Sequence, residues 1–135
     1  MDNSTLKNIF EFLEDEGEHR APFKWKLENN IPLSKEDLNV KGDLYLRDSK
    51  ITSLPEGLKV RGNLNLGFSK ITSLPEGLNV RGDLDIYWTD ITSLPKGLKI
   101  GGKLYIRETE LTKLSDDELM EMIKPGFIDG DIMRK

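Results

Sequence analysis

A chain of 135 residues with 33% charged side chains and a net charge of −4 has the size of one domain and contains no apolar run near the roughly 18–20 residues of a membrane span. With no cysteine, disulfide frameworks and thiolate metal sites are excluded, and the composition suits a reducing cytoplasm. The small acidic excess argues against a general nucleic-acid binder while leaving local basic stripes open.

The opening MDNSTLKNIFEFLEDEGE lacks a basic segment followed by an apolar stretch, so a secretory signal is not expected. Leu6, Ile9, Phe10 and Leu13 share one helical face, which predicts a short helix over 4–13 with Asn3 or Ser4 as N-cap. The run Glu14, Asp15, Glu16, Gly17, Glu18 suits a helix end. Phe23, Trp25 and Leu27 alternate with Lys24 and Lys26, the pattern of a strand with one apolar face. Residues 1–30 are thus expected to form a helix-and-strand cap on the remainder of the chain.

Three consecutive twenty-residue blocks, starting at Ile51, Ile71 and Ile91, are near-copies: ITSLPEGLKVRGNLNLGFSK, ITSLPEGLNVRGDLDIYWTD and ITSLPKGLKIGGKLYIRETE. A degenerate copy, IPLSKEDLNVKGDLYLRDSK, precedes them, and LTKLS opens a fifth at Leu111. A fixed period of this length is a solenoid signature. With Ile51 as position one, the apolar places are one, four, eight, ten, fourteen and sixteen: Ile51, Leu54, Leu58, Val60, Leu64 and Leu66 in the first full copy. Val60, Gly62, Leu64 and Leu66 alternate with Arg61, Asn63 and Asn65, which predicts one half-buried strand per rung. Pro55, Pro75 and Pro95, each followed by a glycine two places on, predict a corner. Ser49, Ser69, Thr89 and Thr109 recur at position nineteen, where small hydroxyls are expected to bond turn backbone from inside; Thr52, Thr72, Thr92 and Thr112 form a second column. One rung buries too little apolar surface to fold alone, so rungs must stack with parallel strands.

After Leu114, Ser115 and Glu118 form a capping box ahead of Leu119, Met120, Met122 and Ile123, predicting a helix from Asp116 to about Lys124 that Pro125 and Gly126 stop. Phe127, Ile128, Ile132 and Met133 are expected to fold back over the last rung; a partner-binding tail is the alternative. The whole is read as one folded domain: cap 1–30, solenoid 31–114 of four repeats and the start of a fifth, and helical cap and tail 115–135.

The core Leu64, Leu66, Ser69, Ile71, Leu74, Pro75 resembles the leucine-rich repeat, and the twenty-residue length with its LP ending is similar to the short bacterial subtype of secreted effectors. The wording ITSLPEGLxVxGxLxL is closer still to leucine-rich-repeat-like proteins of bacteriophages and prophages. Two departures stand out: serine or threonine replaces the usual ladder asparagine, and Arg61 stands where a leucine is expected. The nearest competing architecture is a regular β-solenoid. The resemblance implies a protein-binding module without chemistry of its own, with a partner from a bacterial host, an inhibitor of host defence among the roles suggested, and a place in that host's cytoplasm.

Comparison of the copies separates scaffold from what varies. Position fifteen reads Tyr45, Asn65, Asp85, Tyr105; position seventeen Arg47, Gly67, Tyr87, Arg107; position eighteen Asp48, Phe68, Trp88, Glu108. Tyrosine, tryptophan and arginine are the types enriched at binding hot spots, so Tyr45, Arg47, Asn65, Phe68, Asp85, Tyr87, Trp88, Tyr105 and Arg107 are the expected partner-binding residues. Lys41, Arg61 and Arg81 at position eleven, with Lys59 and Lys99 at position nine, form a basic stripe, the ground for a nucleic-acid alternative. Asp43, Asp83, Glu56 and Glu76 interleave with it and favour a solvated surface of mixed charge. A self-assembling component pairing through its end rungs is a further alternative. His19 is the single histidine and lies beside Glu18; with no nucleophile–base pairing, no phosphate loop and no calcium-loop spacing around Asp129 and Asp131, no catalytic residue, cofactor or metal site is expected.

Overall fold

The computed structural model describes residues 23–135; the expected helix over 4–13 and His19 lie outside them. The chain divides into two units, Met1–Asp37 and Leu38–Lys135.

In the first unit, Phe23–Glu28 is a helix (α1), not the expected strand. The alternation that suggests a strand is only five residues long, and local bonds decide the matter. Asn29 bonds the Trp25 carbonyl through both its backbone N–H (3.1 Å) and its side-chain amide (2.9 Å), and the Ile31 N–H bonds that of Lys26 (2.9 Å). Asn30 takes a positive φ of 54° at the helix end, a place asparagine tolerates. Lys26 reaches both oxygens of Asp37, at 3.1 and 3.2 Å. Burial pushes the Asp37 carboxyl up, but the Ser34 N–H and Lys26 outweigh it and leave it below its ordinary range.

The second unit is a parallel β-solenoid. Each rung carries two short strands where the alternation predicts one. Asn39–Val40 (β1), Lys59–Val60 (β3), Asn79–Val80 (β5), Lys99–Ile100 (β7) and Phe127–Ile128 (β9) form one five-stranded sheet. Leu44–Tyr45 (β2), Leu64–Asn65 (β4), Leu84–Asp85 (β6), Leu104–Tyr105 (β8) and Ile132–Met133 (β10) form the other. Leu64, Leu84 and Leu104 lie in register, one above another. Positions one, four, eight, ten, fourteen and sixteen of the three full copies are all buried, as are Leu44, Leu46 and Leu111.

The two sheets are separated by a bend, and its glycine has a steric cause. At position thirteen a side-chain oxygen in three successive rungs accepts the backbone N–H of the same position in the next: Asp43 from Asn63 (2.7 Å), Asn63 from Asp83 (2.7 Å) and Asp83 from Lys103 (2.8 Å). A Cβ on Gly62, Gly82 or Gly102 would strike that oxygen and the backbone of the preceding glycine. These glycines, which the alternation places on the same face as Val60 and Leu64, thus form a corner packed against an external ladder. Position thirteen reads Asp43, Asn63, Asp83 and Lys103, and its first three members are scaffold.

The hydroxyl column at position nineteen is buried throughout. Thr89 and Thr109 donate to the carbonyls of Ile86 (2.7 Å) and Ile106 (2.6 Å), the expected bonding to turn backbone, whereas the Ser49 and Ser69 hydroxyls have no partner among the described residues. The added methyl of threonine restricts χ1 and holds its hydroxyl toward that carbonyl. In the second column Thr52, Thr72 and Thr92 are exposed and Thr112 bonds the Thr109 carbonyl (2.9 Å).

The C-terminal helix Asp116–Ile123 (α2) forms with both bonds of its Ser115/Glu118 capping box. It buries Leu119 and Ile123, and the Ile123 carbonyl accepts the Gly97 N–H at 2.7 Å. The tail then does more than fold back: it completes a fifth rung. Lys99 pairs with Phe127, 28 residues on, where earlier registers advance by 20, so the eight-residue helix is an insertion in an otherwise regular turn. Among the described residues no helix is long and apolar enough to cross a membrane.

Gly82→Ala should destabilise the unit by about 1–3 kcal/mol, the range for steric overpacking. Gly42→Ala, whose Cβ meets nothing within 4 Å among the described residues, should stay within about 0.5 kcal/mol of the parent. Urea unfolding of the two variants measures the difference, and equal stabilities would refute the ladder as the reason for the glycine.

Candidate functional site

Each of the three full copies makes two tight turns that place one residue on left-handed backbone. At the proline corner that residue is always glycine: Gly57, Gly77 and Gly97 have φ of 82°, 74° and 78°. At the other corner, after the second strand, it never is. Asp48, Phe68, Trp88 and Glu108 have φ between 54° and 59°, in turns closed by Ser49, Ser69 and Thr109 N–H groups on the carbonyls three residues back (3.1–3.3 Å). Left-handed backbone costs an L-residue about 1–2 kcal/mol, and for a bulky side chain it is an outlier. Phe68 and Trp88 are nonetheless 39% and 54% exposed. Both residues are thus only partly buried despite that strain.

These rings anchor a cluster. Phe68 meets Tyr87 edge-on (centroids 4.9 Å, 76°) and lies parallel to Trp88 (5.9 Å, 15°). The Arg47 guanidinium stands 5.2 Å from the Phe68 centroid and 5.4 Å from that of Tyr87, and Arg107 approaches Tyr87 at 5.3 Å. Arg47 belongs to a rung two removed from Tyr87, and it reaches because position seventeen between them is Gly67. A Cβ there would run into the Tyr87 ring. Contacts of this kind contribute about 0.5–1 kcal/mol each at exposed sites, while leaving the guanidinium N–H edges free for a carboxylate or phosphate. Arg47 makes only a long ion pair with Asp48 (3.6 Å), and Arg107 makes none among the described residues.

Of the nine residues expected to bind a partner, five are thus brought together: Arg47, Phe68, Tyr87, Trp88 and Arg107. Asn65 and Asp85 turn a side-chain oxygen to their own backbone, accepting the N–H of Gly67 (2.9 Å) and Tyr87 (3.1 Å); they shape the turn beneath the rings. Burial pushes the Asp85 carboxyl up, against the Tyr87 N–H and the charges of Arg107 and Arg47, which pull it down. Tyr45 stands on β2, 61% exposed, its hydroxyl on Asp43 (3.0 Å), and that bond raises its pKa. Tyr105 is half-buried on β8. Neither tyrosine joins the ring cluster.

The basic stripe lies along the first sheet and the following corner. Lys41, Lys59, Arg61, Arg81 and Lys99 are all exposed, and among the described residues none is in an ion pair. No group of three or more potential metal ligands converges among the described residues. Comparison with protein-family models, with curated proteins and with solved structures finds no match.

Asp85→Asn should preserve the turn, since Asn65 makes the same bond one rung earlier. A carboxyl whose native pKa is raised binds more protons folded than unfolded just above its ordinary range, so its contribution to stability falls as pH rises through that window. The variant should therefore be more stable than the parent at neutral pH, the gap closing toward pH values below the ordinary carboxylate range. Thermal unfolding across pH reads this, and a variant less stable at neutral pH would contradict it.

Proposed function

We infer that the chain is a non-catalytic protein-binding module whose recognition surface is the aromatic and arginine corner formed by Arg47, Phe68, Tyr87, Trp88 and Arg107. One observation carries the reading: two large aromatic side chains occupy left-handed positions where glycine would be free of strain, and both remain exposed. Strain retained by large side chains that stay partly exposed points to a functional role. The residue types are those of hot spots, where an apolar centre is desolvated by a partner and arginine supplies planar, directional hydrogen bonds. The repeat scaffold supplies rigidity, so little ordering is needed on binding. In keeping with the resemblance of its repeats to those of phage proteins, the partner is taken to be a bacterial host protein met in the cytoplasm, and the role this implies is inhibition of that partner.

Phe68→Gly with Trp88→Gly discriminates this role from a structural one. Losing the ring contacts removes about 0.5–1.5 kcal/mol per pair, and relieving left-handed strain returns about 1–2 kcal/mol per residue. The double variant should hold its melting temperature within a few degrees. It should also lose a host protein that the parent retains reproducibly in affinity capture from lysate. Retention of that partner by the well-folded variant would rule out the corner as the binding surface.

A further inference from the structure

The aromatic corner carries a charge that its local structure does not require. Asn65 and Asp85 both stand at position fifteen, in register on neighbouring strands. Each accepts the backbone N–H two residues on, from Gly67 at 2.9 Å and from Tyr87 at 3.1 Å. A neutral amide therefore closes this turn as well as a carboxylate does. Asp85 is nevertheless half-buried, and burial pushes its carboxyl up, against the Tyr87 N–H and the charges of Arg107 and Arg47. Such a charge lowers stability at neutral pH where asparagine would not, so the reason for it lies elsewhere than in the turn.

The charged and titratable groups around Asp85 narrow that reason. On its own rung and the next are Asp83 and Lys103 two places earlier, Tyr105 in register on β8, and Asp90 and Glu108 past the turn; Arg47 and Asp48 come from two rungs before. Among the described residues Asp85 makes no direct ion pair, and the two cations that act on its carboxyl are Arg107 and Arg47. They reach Tyr87 from opposite directions along the stack, and stand 5.3 and 5.4 Å from its ring centroid. Two like charges gathered at one ring repel each other, and a cation–π contact at an exposed ring is weak beside the rotamer freedom that each arginine gives up. Asp48 offsets little of this: it meets Arg47 alone, at 3.6 Å, and its side chain is 71% exposed. The Asp85 carboxylate, by contrast, is tied through the Tyr87 amide to the residue where both arginines meet.

We propose that Asp85 is a positioning residue for the corner: its charge, beyond its turn bond, draws Arg47 and Arg107 together at Tyr87 and so sets the spacing of the two guanidinium edges offered to a partner. A group retained at the expense of stability is the pattern of a position kept for function. The consequence for recognition rests on the reading of the corner as a binding surface; the arrangement of the arginines does not.

The test follows the guanidinium Nε–Hε signals of Arg47 and Arg107 by NMR in the isotope-labelled full chain, each identified by its loss in Arg47→Lys or Arg107→Lys. A guanidinium held against an aromatic ring has these signals shifted upfield from those of a free arginine. In the parent at neutral pH both should be shifted, and in Asp85→Asn both should lose most of the shift while the amide signals of Gly67 and Tyr87 keep the positions of closed turns. Asp48→Asn should leave Arg107 unmoved. On acidification of the parent the two signals should move together toward the free position, through one midpoint above the ordinary carboxylate range, and Asp85→Asn should lack that step. Three results would each overturn the proposal: both shifts persist in Asp85→Asn, the parent shows no shared step with pH, or Asp48→Asn moves both arginines as far as Asp85→Asn does. None of these readouts needs a partner, so the positioning role stands or falls separately from the capture experiment on Phe68 and Trp88.

Discussion

The solenoid depends on how closely consecutive rungs approach at position twelve. Parallel strands hold neighbouring backbones about 4.8 Å apart, and in each full copy the chain bends at that point over the glycine of the rung before. The space a methyl group would need is already taken by the Asp or Asn side chain that caps the next rung's amide. Glycine at twelve and a short acceptor at thirteen are therefore one device. Without the acceptor, an N–H at the corner between the sheets would lose its partner; without the glycine, the acceptor could not lie flat. The buried aliphatics supply most of the driving force and set the register, because a slip of one residue would turn them out of the core. That register, with the bend and its ladder, fixes the phase of the rungs, and hence which side chains reach the surface together.

That phase is what turns scattered variation into a site. Position seventeen changes from arginine to glycine to tyrosine to arginine along the stack, and the space over Gly67 is filled by the Tyr87 ring from the next rung. The surface thereby gains a ring flanked by two guanidiniums, which no single rung could present. A full side chain at Gly67 would displace Tyr87 and leave Arg47 short of it. Asp85, half-buried below, holds the Tyr87 amide and carries a carboxylate that its desolvated setting disfavours. The left-handed turn itself recurs at Asp48 and Glu108; what sets this corner apart is that two aromatic side chains occupy it beside a desolvated carboxylate. A local departure of this kind in an otherwise consistent fold is where function is expected to reside.

The core is legible in the sequence because its signal repeats. Six aliphatic positions recurring at one spacing leave a single arrangement that buries them all, and Leu64, Leu84 and Leu104 stack accordingly. The C-terminal helix is equally readable from Ser115 and Glu118. Three features are not. In Phe23–Leu27 a five-residue alternation also fits a short helix, and bonds from Asn29 and Ile31 settle it as one. The two-strand rung is hidden because alternation runs unbroken through residues 60–66 while the backbone bends at its centre; periodicity reports which way side chains face, not whether the chain is straight. Residue type points to the buried serine and threonine column as the ladder, but the repeating acceptor stands outside at position thirteen, disguised as free variation by the exchange of aspartate for asparagine. The candidate site is half legible. Residue type points to Arg47, Phe68, Tyr87, Trp88 and Arg107, but the left-handed backbone under Phe68 and Trp88 carries no composition signal, since the turn residue that would mark it, glycine, stands one place earlier in the only copy that has it.

The fifth rung shows how an insertion can conceal a repeat without breaking the stack. Ile128, Gly130 and Ile132 reproduce the Val60, Gly62, Leu64 spacing, yet an eight-residue helix shifts them out of period. A helix is tolerated there because the segment between positions four and eight belongs to neither sheet, so lengthening it leaves both ladders intact. Its last turn even contributes to the stack, the Ile123 carbonyl taking the Gly97 amide. Arg134 then ties the returning strand to the helix start, through the Leu114 carbonyl at 2.8 Å and the Asp116 carboxylate at 2.6 Å. In this rung arginine replaces the aliphatic residue of position sixteen, and the apolar interior gives way to a polar clasp. The fifth rung is therefore held to the inserted helix by polar contacts at a position that the earlier rungs fill with a buried aliphatic side chain.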